Sequence, residues 1–382
     1  MKNGMINVAL IGHKFMGKAH SHAYRDVGMF FDLDAKPCMK VLCGVGDDLA
    51  STAEAYGWER SEPDWAKVVA DPEVDLVDIC TPDRQHREIA LAAARNGKHV
   101  FCEKPLALDL AEAREMYQCA QANHVVHMVN FVYRGVPALQ LARQLIEEGR
   151  IGRIYQFKGL YQQDFALSPD FPFVWRMDKA QAGFGILADK GSHVIDLARY
   201  LAGEITQVAC ATDIFIRSRP LPDGGGMREV STADAAVFIA TFAGGGLGVF
   251  ELSNTCAGSK NALTLEISGS LGTIRFDLER LNELELYLAE DPEATRGFRK
   301  IMVTAPGHPF MGNWWPEGHV LGWEHGFIHQ VREMLQAIAQ GRPASPSFLD
   351  GMRCQAVVEA LAAADRDRGW QSVGEAGPGF LD

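Results

Sequence analysis

Short apolar runs alternate with helical stretches through the first third of the chain. Ile6–Ile11 reads as a buried strand and Lys18–Val27 as a helix, and Met39–Val45 and Leu49–Tyr56 repeat the pair. A polar stretch, Glu59 to Asp64, leads through Trp65–Val69 to a third strand, Val74–Cys80. Helix His86–Asn96, strand His99–Cys102, helix Asp109–Asn123 and strand Val125–Val129 follow. Continuous Val/Ile/Leu/Cys runs separated by helices suit a parallel sheet covered on both faces, where each strand is buried on both sides. Residues 1–130 are therefore expected to form a doubly wound α/β domain.

Past Phe131 the pattern changes. A helix through Leu139–Glu148 ends at Gly149, and longer strands follow at Ile154–Leu160, Gln207–Ile216, Ala235–Ala243, Gly246–Ser253, Ala262–Ser268, Gly272–Asp277 and Glu283–Leu288. Tight glycine turns at 244–246 and 269–272 join consecutive strands, which is antiparallel pairing. A Gly/Pro-rich loop, Pro220 to Met227, and a His/Trp/Pro-rich loop, Gly307 to Trp323, interrupt the strands. Helices Glu324–Ala339 and Met352–Ala363 close the chain. Residues 131–382 are expected to form an α+β domain on a large, mainly antiparallel open sheet.

Composition narrows the partners. Among 382 residues, 37 Lys and Arg stand against 49 Asp and Glu, a net charge of −12. No basic cluster offers a phosphate-binding stripe, so nucleic acid is an unsuitable ligand and a small molecule the better expectation. The longest uncharged stretch, Ala235–Phe250, carries three glycines in its middle and reads as strand–turn–strand rather than a membrane span. The opening MKNGMINVALIG reaches a glycine turn after one short apolar run, unlike a secretory leader. Eight cysteines include no C-x-x-C, and Cys43, Cys80 and Cys102 lie in strand-like runs, as free thiols do in a reducing compartment. A soluble cytoplasmic protein is expected.

The first strand runs into Gly12-His13-Lys14-Phe15-Met16-Gly17 and then a helix. Gly12 and Gly17 fit the first and third places of a dinucleotide-binding G-x-G-x-x-G, with Lys14 where the middle glycine belongs. The alternative is a plain tight turn before a helix. A lysine there can face a phosphate, while the helix N-terminus supplies N–H donors. Phe15 and Met16 are candidates to touch cofactor, or to pack under the first helix. The second strand ends Gly46-Asp47-Asp48, where an acidic residue would bond the adenine ribose and favour NAD over NADP. Asp47 or Asp48 can serve, or either can simply cap the next helix.

Thr81-Pro82-Asp83-Arg84-Gln85-His86 and Glu103-Lys104-Pro105 end successive strands, and Asp189-Lys190-Gly191-Ser192-His193 lies further on. With the Gly12–His20 turn, these resemble the Gfo/Idh/MocA oxidoreductases, whose members carry T-P-N-x-x-H, E-K-P and D-x-G-x-H in that order. Tyr133-Arg134, Gly149-x-Ile151-Gly152 and Trp175-Arg176 extend the resemblance over most of the chain. Departures are Lys14 for glycine, Asp83 for asparagine and Phe184 within the glycine run before the D-x-G-x-H helix. The resemblance implies a Rossmann domain holding NAD (or NADP) through Gly12, Lys14, Phe15, Met16, Gly17, Asp47, Thr81, Pro82, Asp83, His86, Glu103 and Lys104. It implies a homo-dimer or homo-tetramer. It also implies hydride transfer between nicotinamide and a ring hydroxyl of a pyranose, anhydrosugar or cyclic polyol, C3 of a pyranose in the members it looks most like.

That chemistry needs a base for the hydroxyl proton and positive charge for the developing alkoxide. His193 can be the base, and Asp189, four residues earlier, shares its helix face and can orient the imidazole. Asp196 and Tyr200 extend that face, opposite an apolar stripe of Val194, Leu197, Ala198 and Leu201, although any surface helix shows such a division. Lys104 stands at the carboxyl end of a parallel strand, the edge where open α/β sheets bind ligands, and Glu103 beside it can hold the nicotinamide ribose. Lys104 could also simply pair with Glu103. Tyr133, Arg134, Trp175 and Arg176 are substrate-pocket candidates by resemblance, and Trp314 and Trp315 offer flat faces for a sugar ring. His20-Ser21-His22 puts its ligands on different helix faces, and the i,i+4 pair within His319, His325 and His329 has no H-E-x-x-H or cysteine partner, so no metal is expected. Reduction of a keto-sugar or imine would use the same residues; a catalytically silent sugar or nucleotide sensor would need none of Lys104, Asp189 and His193.

Overall fold

The computed structural model describes residues 4–374. Contacts divide the chain into two units, one reaching to Val136 and including Gly322–Met352, the other formed by Pro137–Leu321 and the chain from Arg353. The return segment Gly322–Met352 thus groups with the first unit, whereas the sequence division put everything after residue 130 in the second.

The first unit is a six-stranded parallel sheet. Its strands are β1 (Met5–Ile11), β2 (Lys36–Cys43), β3 (Arg60–Glu62), β4 (Leu76–Ile79), β5 (His99–Cys102) and β6 (His127–Val129), in spatial order β3-β2-β1-β4-β5-β6. The order reverses between β1 and β4, the switch point at which doubly wound sheets bind ligands. Ile6, Val8, Leu10, Leu76, Val77 and Ile79 are wholly buried, as the continuous apolar runs require. Helix α1 (Phe15–Phe30) begins three residues before the periodicity suggested. The polar stretch after Glu59 contains β3, too short to show a period, and the helix Trp65–Ala70, capped by the Asp64 carboxylate accepting the Ala66 N–H at 2.9 Å. From the return segment, helix His325–Gln340 packs against α1.

The second unit holds a nine-stranded sheet. Its order is Arg299–Met302, Glu283–Leu288, Gly272–Asp277, Ala262–Gly269, Ile154–Gln162, Leu247–Ser253, Ala235–Phe242, Ile205–Asp213 and Gln371–Ser372. Every neighbouring pair is antiparallel except Ile154–Gln162 with Leu247–Ser253. Alternation is strict in Ala235–Phe242, where Ala236, Phe238, Ala240 and Phe242 are buried and Val237 and Ile239 are exposed. The uncharged stretch Ala235–Phe250 is indeed strand, turn and strand, and among the described residues no helix is long and apolar enough to cross a membrane. The Gly/Pro-rich loop contains a small hairpin, Ser218–Pro220 with Met227–Glu229. Helix Gly191–Ala202 lies on the buried sheet face, so close at Gly159 that a Cβ there would stand 2.6 Å from Val194 Cγ1. This helix is no surface helix with a solvated stripe. Asp196 is 1% exposed, and buried Arg199 pairs with Glu204 at 2.8 Å.

Candidate active site

The turn after β1 is fastened to both neighbouring strands. The Gly12 N–H donates to the Cys43 carbonyl at 2.8 Å, and the Cys80 N–H donates to the Ile11 carbonyl at 2.7 Å. Gly12 has φ +108°, and a Cβ on it would lie 2.4 Å from the Cys80 carbonyl oxygen; one on Gly17 would lie 1.9 Å from the Gly12 oxygen. Only glycine fits at either place. Among the described residues no side chain caps α1 at Lys14 and no acidic residue stands in its first turn, which leaves the amides and the positive end of the helix dipole suited to an anion. At the end of β4, the Thr81 hydroxyl is buried without a hydrogen-bond partner among the described residues. A bare helix N-terminus, two glycines packed against backbone and an unsatisfied hydroxyl at the switch point together fit a dinucleotide.

Lys14, in place of the middle glycine, is exposed and its ammonium meets Asp48 Oδ2 at 2.7 Å, while His13 Nε2 lies 3.2 Å from Asp48 Oδ1. These bonds, Lys14 first and then His13, hold the Asp48 carboxyl below its usual range. Asp48, rather than Asp47, is thus tied to the nucleotide turn; it does not cap the following helix with its side chain, and Asp47 is simply exposed. Phe15 is 70% exposed, and Met16 is half-buried. Pro82 is exposed and Asp83 opens a short helical turn. His86 is wholly buried, its Nδ1 2.9 Å from the Pro105 carbonyl and its Nε2 3.0 Å from the Thr81 carbonyl, so it braces the two motif-bearing strand ends against each other.

Lys104 follows β5 and is half-buried. Glu103 points inward. Its Oε1 accepts from the Asn130 amide at 2.6 Å and meets His20 Nε2 at 2.9 Å, and its Oε2 accepts the Lys104 N–H at 3.1 Å. Burial opposes ionisation of Glu103, but the hydrogen bond and charge of His20, with Lys104 and Asn130, hold its carboxyl below the usual range. His20 also meets Asp78 Oδ2 at 2.7 Å. Sequence reading passed over this buried network; the signal was Asp78, a carboxylate inside an otherwise apolar central strand, which must be paired. His20, Asp78 and Cys80 carry metal-ligating atom types within 4.8 Å of one another, and His20 is engaged with carboxylates at both ring nitrogens. Tyr133 and Arg134 sit on the buried turn Val132–Gly135 of this same unit, Arg134 bonded to Asp350 at 3.0 Å.

In the second unit, Asp189 ends the helix Ile186–Asp189 and His193 lies in Gly191–Ala202. Lys190 between them keeps helical dihedrals, φ −88° and ψ −40°, so the two remain about one turn apart. His193 is 8% exposed, with the Tyr161 ring edge-on at 5.8 Å. Arg176 Nε is 3.8 Å from Asp189 Oδ1, and its guanidinium lies over the Trp175 ring at 4.5 Å. Lys190, missed in the sequence, is 3% exposed, with its ammonium 4.0 Å from Asp189 Oδ2, over the rings of Tyr161 and Phe165. Two cations therefore flank the Asp189 carboxylate. Trp314 is half-buried and Trp315 is 49% exposed, after the short turn Met311–Asn313.

The chain is similar to known oxidoreductases over most of its length. The oxidoreductase family with an NAD-binding Rossmann fold matches residues 6–131, and the GFO/IDH/MocA C-terminal domain matches residues 139–275. Levoglucosan dehydrogenase of Pseudarthrobacter phenanthrenivorans is 40% identical over 96% of this chain and 98% of its own. Scyllo-inositol 2-dehydrogenase (NAD(+)) of Bacillus subtilis is 32% identical over 62% of this chain and 66% of its own. Among solved structures, an oxidoreductase domain protein from Kribbella flavida superposes with a TM-score of 0.95 at 43% identity, over 97% of this chain and all of that one. Levoglucosan dehydrogenase in complex with NADH and levoglucosan superposes with a TM-score of 0.94 at 40% identity, again over 97% of this chain and all of that one. The chain belongs to the Gfo/Idh/MocA oxidoreductases, as an NAD-dependent dehydrogenase with the family's Rossmann and C-terminal domains.

Proposed function

We propose that this dehydrogenase oxidises a ring hydroxyl of a pyranose or anhydrosugar, with cyclic polyols as the related class. The similarity of the whole chain to a levoglucosan dehydrogenase carries the reading. NAD, when bound, supplies the nicotinamide carbon that takes the hydride; Gly12, Gly17, Thr81 and the first turn of α1 are the groups that would hold it. Lys104 supplies positive charge where alkoxide develops, which lowers the cost of releasing the hydroxyl proton. His193 accepts that proton, and Asp189 orients its imidazole and offsets its charge. Arg176 and Lys190, on either side of the Asp189 carboxylate, hold it in place for that role. Trp175 and Trp315 present ring faces suited to a sugar.

The test is reduced-nicotinamide absorbance with NAD and a panel of pyranoses, anhydrosugars and inositols, for the wild-type chain and for Lys104→Ala and His193→Asn. Turnover on a ring sugar, lost by on the order of 10²-fold or more in each variant while the fold persists, supports the reading. Near-full activity in either variant removes that residue from the chemistry.

The quaternary reading is a homo-oligomer, a dimer or tetramer, joined through the open sheet face. Ile239 and Val249 are cross-strand partners there, both more than 40% exposed, with Val237 and Leu247 beside them. A groove of about 530 Å³ on the same face, lined by Lys158, Glu251, Glu266 and Arg275, adds charges of both signs, which suits self-pairing. A monomeric mass by light scattering at micromolar concentration would contradict it. All eight cysteines are free thiols, which supports a cytoplasmic setting.

A further inference from the structure

The buried network behind Lys104 joins three elements through one imidazole. His20 comes from the second turn of α1, Asp78 from the centre of β4 and Glu103 from the end of β5; His20 and Asp78 are 0% exposed and Glu103 is 5% exposed. Both ring nitrogens of His20 face carboxylate oxygens, at 2.7 Å and 2.9 Å. Ionised carboxylates only accept, so both nitrogens donate and the ring is an imidazolium between two anions. One further polar group reaches the ring, the Asn130 amide nitrogen, 3.1 Å from His20 Nε2 and shared with Glu103 Oε1. The Phe101 and Phe327 rings pack on the imidazole at 5.3 and 5.4 Å, Cys80 Sγ lies 3.7 Å from Asp78 Oδ1, Tyr24 stands one turn further along α1, and the Asn130 amide donates to Glu103. Burial opposes the charge on His20, yet the Asp78 carboxylate, with Cys80 nearby, carries its pKa well above the ordinary imidazole range.

Three buried charges in one core are costly unless each is paired, and replacing them by apolar groups is often neutral for stability. Their geometry suggests what they do. The far oxygen of Glu103 accepts the Lys104 N–H, and α1 starts in the nucleotide turn. We propose that His20 is a positioning residue, an imidazolium tie that holds the helix of the cofactor turn and the backbone of Lys104 in one fixed register through Glu103. This rests on the reading of Lys104 as a catalytic residue. Hydride transfer is steep in donor–acceptor placement, and a misplacement of about 1 Å costs on the order of 10²-fold in rate. Losing the tie therefore acts on kcat and leaves sugar affinity nearly intact.

The experiment compares His20→Gln, Glu103→Gln and their double variant with the wild-type chain, using steady-state kinetics with the sugar that turns over and its form deuterated at the reacting carbon. Expected are kcat losses of roughly 10- to 100-fold with KM for sugar changed less than about threefold, and a larger deuterium isotope effect on kcat as hydride transfer becomes limiting. The double variant is expected to be no worse than the worse single variant, since both break one tie. Nitrogen-15 NMR of the wild-type protein is expected to show His20 protonated at both ring nitrogens at pH 7 and above, a readout independent of whether the variants fold. A neutral His20 overturns the proposal, as do activity losses that only track loss of folded protein with an unchanged isotope effect. Should Lys104→Ala stay active, the catalytic reading itself fails; should it be inactive while His20→Gln and Glu103→Gln turn over normally, only the tie fails.

Discussion

The Phe15 ring lies face to face with the Trp323 ring, centroids 5.6 Å apart and planes 9° from parallel. Phe15 is the first residue of α1, and Trp323 stands two residues before helix His325–Gln340 of the same unit. Trp323 also sets its ring against Phe327 at 4.6 Å, so the stack pins the entry of the cofactor helix to the return segment. A stacked pair of this kind contributes about 0.5–1.5 kcal/mol beyond its buried area. Trp323→Ala is expected to weaken NADH binding by roughly 2- to 10-fold at this energy, read by nucleotide fluorescence titration. Wild-type affinity would show that Phe15 needs no such support.

Gly12→Ala is expected to abolish nucleotide binding. A Cβ at φ +108° is strained in itself, and its nearest neighbour is backbone that cannot swing aside, the Cys80 carbonyl 2.4 Å away. Calorimetric titration with NADH checks it; measurable affinity near wild type would mean the β1 turn does not approach the cofactor.

Asp48 is expected to govern the choice of nucleotide. Its carboxylate, held by Lys14 and His13 at the rim of the turn, would repel a 2′-phosphate; with Asp48→Ser the Lys14 ammonium is left to attract one. The ratio of kcat/KM for NADP to that for NAD should rise on the order of tenfold. An unchanged ratio would shift attention to Asp47.

Acid should destabilise the first unit before carboxylates titrate. Burial lowers His127 to about 4 and His329 to about 3; the Phe348 N–H donates to His127 Nδ1 at 3.1 Å, and His329 Nδ1 lies 2.6 Å from the Gly135 carbonyl. In both, the folded pKa lies below the unfolded value near 6.5. The unfolded chain therefore binds more protons as pH falls below that value, and stability drops by about 1.4 kcal/mol per pH unit for each group until its folded pKa is reached. Denaturant titrations between pH 7 and pH 5 should show this slope, and His127→Gln and His329→Gln should each reduce it. Equal slopes in the variants would place the acid sensitivity elsewhere.

Local pattern was enough for the elements and the motifs. The strands β1, β2, β4 and β5 and most strands of the large sheet follow from apolar runs and alternation, because strand and helix periods are set by backbone geometry over a few residues. Gly12, Gly17 and Lys104 were legible as positions for the same reason, since a turn or strand end is a local feature. Three-residue β3 was not legible, having no period to display, nor was the grouping of Gly322–Met352 with the first unit, which depends on contacts across the chain. Tertiary structure alone decided which charges are paired. His20 reads as one more helix residue until Asp78 and Glu103 arrive on two separate strands, Asp48 is one of two adjacent acids until Lys14 reaches it, and Lys190 is an ordinary lysine until Tyr161 and Phe165 cover it. A buried charge is tolerated only where distant elements bring its partner, so its role is a property of the packed chain and not of its neighbours in sequence.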